Sequence, residues 1–147
     1  EPRQLSSIVW SFATLAHRDR ECMEAIAERC IARGPHETWD PLSLSLVAQG
    51  FATLAAVNKE LLASIAAQVQ RETSTTWPPG DVARVAWASA KVLLREDAVF
   101  RDLSCKALSR LPEATPTIMA QTIWAFATAA PAVVTNHFYP HAVEAMR

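Results

Sequence analysis

Four positions of this 147-residue chain carry side chains suited to stacking on, or hydrogen-bonding to, a flat ligand at a fixed interval. They are Trp10, Gln49, Trp87 and Trp124, separated by 39, 38 and 37 residues. The same company surrounds each. Three residues back stand Ser7, Leu46, Arg84 and Gln121, and four residues on stand Thr14, Thr53, Lys91 and Thr128. Indole faces stack on nucleobases of any sequence, amides and hydroxyls read base edges, and arginine or lysine neutralises phosphate. Such a set would serve single-stranded RNA. The competing reading makes the tryptophans spacers wedged between helices, their indole N–H groups satisfied locally, and aromatics at a regular period are more often packing than recognition.

Other reactive residue types are scattered. His137 and His141 stand four apart, a spacing that presents two imidazoles to one metal ion on a helix, but no carboxylate or cysteine lies close enough in sequence to complete a ligand set. Cys22, Cys30 and Cys105 include no paired CxxC spacing. They are expected to be small buried hydrophobes in a reducing compartment. His17-Arg18-Asp19-Arg20 is a charged turn expected to be solvated. There is no glycine-rich phosphate loop, nucleophile elbow or zinc-protease helix. The expectation is a non-catalytic protein with no cofactor, no metal and no small-molecule substrate.

The elements that must position the row are helices. Half of the residues are hydrophobic and only three are glycine, which leaves little turn material for an all-β fold. The segment Ile8-Val9-Trp10-Ser11-Phe12-Ala13-Thr14-Leu15 returns as Val47-Ala48-Gln49-Gly50-Phe51-Ala52-Thr53-Leu54. It returns again, degraded, from Val85 to Val92 and from Ile123 to Ala129. Self-similarity at this period marks a solenoid of stacked supersecondary units. The fold expected is all-α, a right-handed superhelix of four helical hairpins spanning 1–147, with repeats at about 4–40, 41–80, 81–114 and 115–147, as part of a longer array.

Within each unit the first helix is expected over 4–16, 41–56, 81–94 and from 116 to the residue before Pro131. The second is expected over 20–33, 59–72, 98–111 and from 136 onward. Gly34-Pro35 reads as a helix stop, Asp40-Pro41 and Thr115-Pro116 as caps followed by proline, Asn58 as a further cap, and 73–80 as a plain linker. At 100° per residue, Leu5, Ile8, Phe12 and Leu15 form one stripe opposite Trp10. Leu44, Val47, Phe51 and Leu54 do the same opposite Gln49, and both stripes are assigned to the core. Alanine recurs three residues after each row position (Ala13, Ala52, Ala90 and Ala127), which predicts close approach of neighbouring first helices.

The charge balance is 14 basic against 15 acidic side chains, a net of −1, far from the basic field that drives sequence-independent nucleic-acid binding. No Lys, Arg, Asp or Glu occurs from 114 to 143. Pro116, Pro131 and Pro140 interrupt that stretch, so it predicts buried helices and no transmembrane segment.

The segments around Trp10 and Trp124 resemble the tryptophan-alanine-phenylalanine-alanine-threonine-leucine helix of octotricopeptide-type repeats, whose relatives accompany RAP-domain and FAST-kinase-like proteins. The resemblance covers nearly the whole chain through repeats one, two and four. Repeat three departs, with Ser89 at the phenylalanine position. The resemblance implies an organellar protein, mitochondrial or plastid, that binds RNA in transcript maturation, translation or ribosome assembly. In this chain only Arg84 and Lys91 bring cations to the row, and four repeats would read only about four nucleotides at one base per repeat. The alternative is a scaffold subunit holding other proteins within a large organellar assembly such as a ribosome or an energy-converting complex.

Overall fold

The computed structural model describes residues 1–33, 38–72, 77–145 and 147. The expected helix stop at Gly34-Pro35 and the first part of the linker at 73–76 lie outside the described residues. Among those described, the chain is helical throughout and has no strand: α1 (Pro2–Thr14), α2 (Arg20–Arg33), α3 (Pro41–Thr53), α4 (Lys59–Arg71), α5 (Pro79–Lys91), α6 (Asp97–Ser109), a 3-10 turn (Leu111–Glu113) and α7 (Pro116–Ala129). A last helical segment begins as α8 (Pro131–Val133), widens into a π-helical stretch (Val134–Phe138), and ends as α9 (Tyr139–Ala145).

The helix starts follow from local chemistry. Asp40 accepts the Ser43 N–H at 3.0 Å, Asn58 the Leu61 N–H at 2.9 Å, and Thr115 the Ile118 N–H at 3.3 Å. Each satisfies one of the donors a helix start leaves unpaired. Proline follows the cap at Pro41 and Pro116, where its missing N–H costs nothing.

The odd-numbered helices form one layer. α1 packs on α3, α3 on α5 and α5 on α7, and these are the most extensive contacts in the molecule; α2, α4, α6 and the last segment form a second layer behind them. Leu44, Val47, Phe51 and Leu54 are all buried between the layers. The corresponding stripe of α1 is only partly covered. Leu5 is buried, but Ile8 is exposed and Leu15 is 76% exposed; among the described residues, α1 packs on α3 and α2 alone to any extent.

The lateral contact has a fixed handedness. In α1 the side bearing Ser6 and Val9 is buried, whereas Gln4 and Ser11 on the other side are exposed. In α7 the pattern reverses: Ala125 is buried, and Ala120 and Ala127 are exposed. One side of each first helix therefore meets the opposite side of the next. The tightest point is not the recurring alanine but Gly50. A Cβ there would stand 2.3 Å from Val9 Cγ1 and 3.3 Å from the Val9 carbonyl oxygen. Ala88 and Ala125 hold the same register in α5 and α7, and both are fully buried. The recurring alanines divide instead: Ala52 and Ala90 are buried, Ala13 is half-buried, and Ala127 is exposed.

Three of the first helices end two or three residues before the expected boundary, and by one device. Ala16, Ala55 and Leu93 take φ of 51°, 53° and 60°. The next N–H reaches back five residues, His17 to Phe12 O, Ala56 to Phe51 O and Leu94 to Ser89 O, at 2.9–3.0 Å. This is a left-handed C-terminal closure normally marked by glycine. With alanine or leucine in its place, the sequence gives no sign of it. Pro131 occupies the donor position in α7 and has no N–H to give. Ala130, pushed out of the helical region by the following proline, takes φ −144° instead. The last segment thus begins at Pro131, five residues before its expected start. It widens just ahead of Pro140, whose ring would strike a carbonyl in a regular α-helix. Phe100, Phe126 and Phe138 tie α6, α7 and the wide turn together by edge-to-face contacts at 5.7 and 5.1 Å.

Candidate functional site

Because the first helices share one lateral register and turn their apolar stripes toward the second layer, Trp10, Gln49, Trp87 and Trp124 fall on the opposite, outward face. Trp10 is 44% exposed and Trp124 47% exposed, while Trp87 is half-buried. Ser7, Thr14, Thr53, Lys91 and Thr128 are exposed beside them, and Gln121 is half-buried. The hydroxyls are not idle. Ser7 donates to the Arg3 carbonyl, Thr14 to the Trp10 carbonyl and Thr128 to the Trp124 carbonyl, each at 2.7–2.8 Å and each on its own helix. Their oxygens keep acceptor capacity, whereas their protons are spent on backbone. Gln49 is half-buried, and its Oε1 is covered without a donor. The amide that stands in place of a tryptophan is therefore less open than Trp10 and Trp124.

The two cations expected at the row behave differently. Arg84 donates through Nη1 to Asp81 Oδ1 at 2.7 Å, and Asp81 is buried. The same carboxylate oxygen accepts the Ser45 hydroxyl of α3 at 2.8 Å. A buried carboxylate must be paired to remain in the interior, so Arg84 is committed to joining α3 with α5. Lys91 is exposed, and its Nζ lies 5.8 Å from the centroid of the Trp87 ring. A cation over an indole face is a weak electrostatic attraction that holds charge and stacking surface side by side.

The burial of a second tryptophan pair, at the Trp39-Asp40-Pro41 and Trp77-Pro78-Pro79 junctions, was not foreseen from the sequence, which places Trp77 in a plain linker. Trp39 and Trp77 are 4% and 1% exposed. Trp39 shares a small cavity with Cys30 of α2, Leu44 and Val47 of α3, and Leu61, Ile65 and Gln68 of α4. Lys106 of α6 sits with Nζ 5.8 Å from the Trp77 ring centroid and donates to the Glu72 carbonyl at 2.6 Å. Neither indole N–H has a partner among the described residues. The signal was present: Trp39 and Trp77 are 38 residues apart, each ten before a row position and each directly preceding a helix start.

The remaining candidates settle individually. All three cysteines are free thiols. Cys30 is buried, and burial pushes its thiol up to about 12, so it stays protonated and unreactive at neutral pH. Cys105 is exposed, against the expectation of burial, because it lies outside the stripe Val99, Phe100, Leu103 and Ala107 that α6 turns inward. His141 Nδ1 lies 3.0 Å from the His137 carbonyl oxygen, which occupies that nitrogen in the Nδ1–H tautomer. A cavity of about 450 Å³ opens at the turn end of the first two hairpins, over Met23, Phe51 and Leu54, with Arg18, Arg20 and Asn58 on its rim. Arg20 there is paired with Glu24 at 2.7 Å. Among the described residues, no helix is long and apolar enough to cross a membrane.

Comparison with protein-family models, curated proteins and solved structures returns no match to this chain.

Proposed function

We propose that this chain is an α-solenoid of about four helical hairpins, akin to the octotricopeptide-type repeats it resembles, and that it binds single-stranded RNA on its tryptophan face as part of an organellar maturation or translation machinery. The observation that carries this reading is the open pair Trp10 and Trp124 on the same outward sector as Trp87 with Lys91 over its ring. Fully packed spacers would not leave two indoles nearly half exposed. Binding on this face rests on stacking more than on charge, since Arg84 is engaged by Asp81. With one or two phosphates neutralised, the logarithm of affinity should fall with the logarithm of salt at a slope of only about −1.

Fluorescence anisotropy with pooled single-stranded RNA across a salt series tests this. The expected result is saturable binding with a shallow salt slope, weakened roughly 5- to 150-fold by Trp124→Ala and by Trp10→Ala, the equivalent of about 1–3 kcal/mol per stacked base. Lys91→Ala should flatten the slope further, and Arg84→Ala should act on stability. Absence of binding at the lowest salt sinks the RNA reading. A second reading, a scaffold subunit of a large organellar assembly, is favoured by one feature, the charge-free stretch from 114 to 143 that exposes Ala120, Trp124 and Ala127.

A further inference from the structure

The two open indoles stand beside hydroxyls whose protons are already committed. Ser7 lies about one helical turn before Trp10 and Thr14 about one turn after it, and Thr128 stands one turn after Trp124. Ser7 donates to the Arg3 carbonyl and Thr14 to the Trp10 carbonyl, both at 2.8 Å, and Thr128 donates to the Trp124 carbonyl at 2.7 Å. All three side chains are exposed. A hydroxyl has one proton and two lone pairs, so what each presents outward is an acceptor. Turning that proton to a ligand would break a bond to the helix's own backbone.

At Trp87 the same two positions hold Arg84 and Lys91, which have donors and no acceptor. The acceptor character therefore belongs to the Trp10 and Trp124 units. Gln121, half-buried on the other flank of Trp124, can both donate and accept and so does not choose. A base stacked on either indole brings its edge to these oxygens, since residues three or four apart on a helix are neighbours. Cytosine offers an amino donor at N4 and adenine one at N6, whereas uracil offers a carbonyl oxygen at O4. A uracil oxygen set against a hydroxyl oxygen brings two acceptors together.

We propose that the Trp10 and Trp124 units select bases bearing an exocyclic amino group, cytosine and adenine, over uracil, through the acceptor oxygens of Ser7, Thr14 and Thr128. The inference rests on the reading of the tryptophan face as an RNA-binding surface and adds which bases its two open units take.

Fluorescence anisotropy of the full chain with cytidine and uridine hexanucleotides at low salt tests it. The two probes share charge and ring size, so the comparison isolates the polarity of the base edge. Cytidine should bind about 5-fold tighter or more, each unit adding the roughly 2- to 12-fold worth of one net hydrogen bond. The combined variant Ser7→Ala, Thr14→Val and Thr128→Val removes the three oxygens at exposed positions, and circular dichroism checks that helicity is retained. It should bring cytidine down to the affinity of uridine and leave uridine within about 2-fold, since stacking is untouched. Thr14→Ser with Thr128→Ser, which keeps the acceptors, should keep the preference. Equal binding of both probes by the wild-type chain, or a preference for uridine, overturns the selection and leaves the RNA reading standing. So does a cytidine preference that survives loss of the oxygens. If neither probe binds, the RNA reading and the selection both fall.

Discussion

Tryptophan occurs in this chain as two rows of nearly the same period with opposite fates. Trp39 and Trp77 stand directly before α3 and α5 and are enclosed; Trp10 and Trp124 stand in the middle of α1 and α7 and face outward. Both rows satisfy the same statistical description, a position recurring every 37 to 39 residues that tryptophan fills everywhere except at Gln49. Angular position separates them. The mid-helix row lies opposite the apolar stripe of its own helix, so packing the stripe turns the indole out. The pre-helix pair lies on the connection between layers, where the chain crosses from a second helix to the next first helix and a large ring fills the junction. Periodicity reports that a unit repeats, and the helical wheel reports what each residue of the unit faces.

The contrast breaks most readily at Trp77. Trp77→Ala should cost about 3–5 kcal/mol through lost burial and the cavity left behind, read as a fall in the midpoint of chemical unfolding. Trp124→Ala should stay within about 0.5 kcal/mol, as surface substitutions do. Equal losses at the two sites would erase the distinction. Gly50, next in sequence to Gln49 of the outward row and yet buried, gives a finer strain. Gly50→Ala should cost about 1–3 kcal/mol by forcing α1 from α3, and adding Val9→Ala should recover part of the loss in a double-mutant cycle. A purely additive cycle would show that the approach of these helices is not set by this pair.

The smallest effect has the opposite sign. Ala55→Gly should stabilise by about 0.5–1 kcal/mol, the relief of a Cβ in the left-handed region less the added entropy of the unfolded chain. Ala130→Gly, at negative φ before Pro131, should destabilise by about 0.5–1 kcal/mol. Paired thermal melts read both, and a gain at both positions would contradict the assignment of the left-handed closure to three hairpins and not the fourth.

Much of this was legible in the sequence. The helical class, the caps at Asp40, Asn58 and Thr115, and the burial of Leu44, Val47, Phe51 and Leu54 follow from short-range patterns that burial leaves intact. The ends of α1, α3 and α5 were not legible, because alanine and leucine hold a conformation that glycine normally announces. Trp77 was misplaced because its proline-rich surroundings read as linker, whereas Lys106, which lies against its ring, comes from α6. The engagement of Arg84 likewise depends on Asp81 being buried against Ser45, 36 positions away in the chain. No local pattern encodes that distance.

The Val9–Gly50 contact has a bearing on how such a chain can be rearranged. Excising the hairpin formed by α3 and α4 would set α5 against α1 and bring the Ala88 methyl to the place where Val9 now meets bare backbone. Duplicating the hairpin of α5 and α6 beside itself would create only an alanine-to-alanine junction of the kind already implied by Ala86 and Ala125. Units are therefore interchangeable toward the carboxyl end of the layer and locked in order at its beginning, so growth or shortening by whole hairpins has one permissive end and one forbidding one.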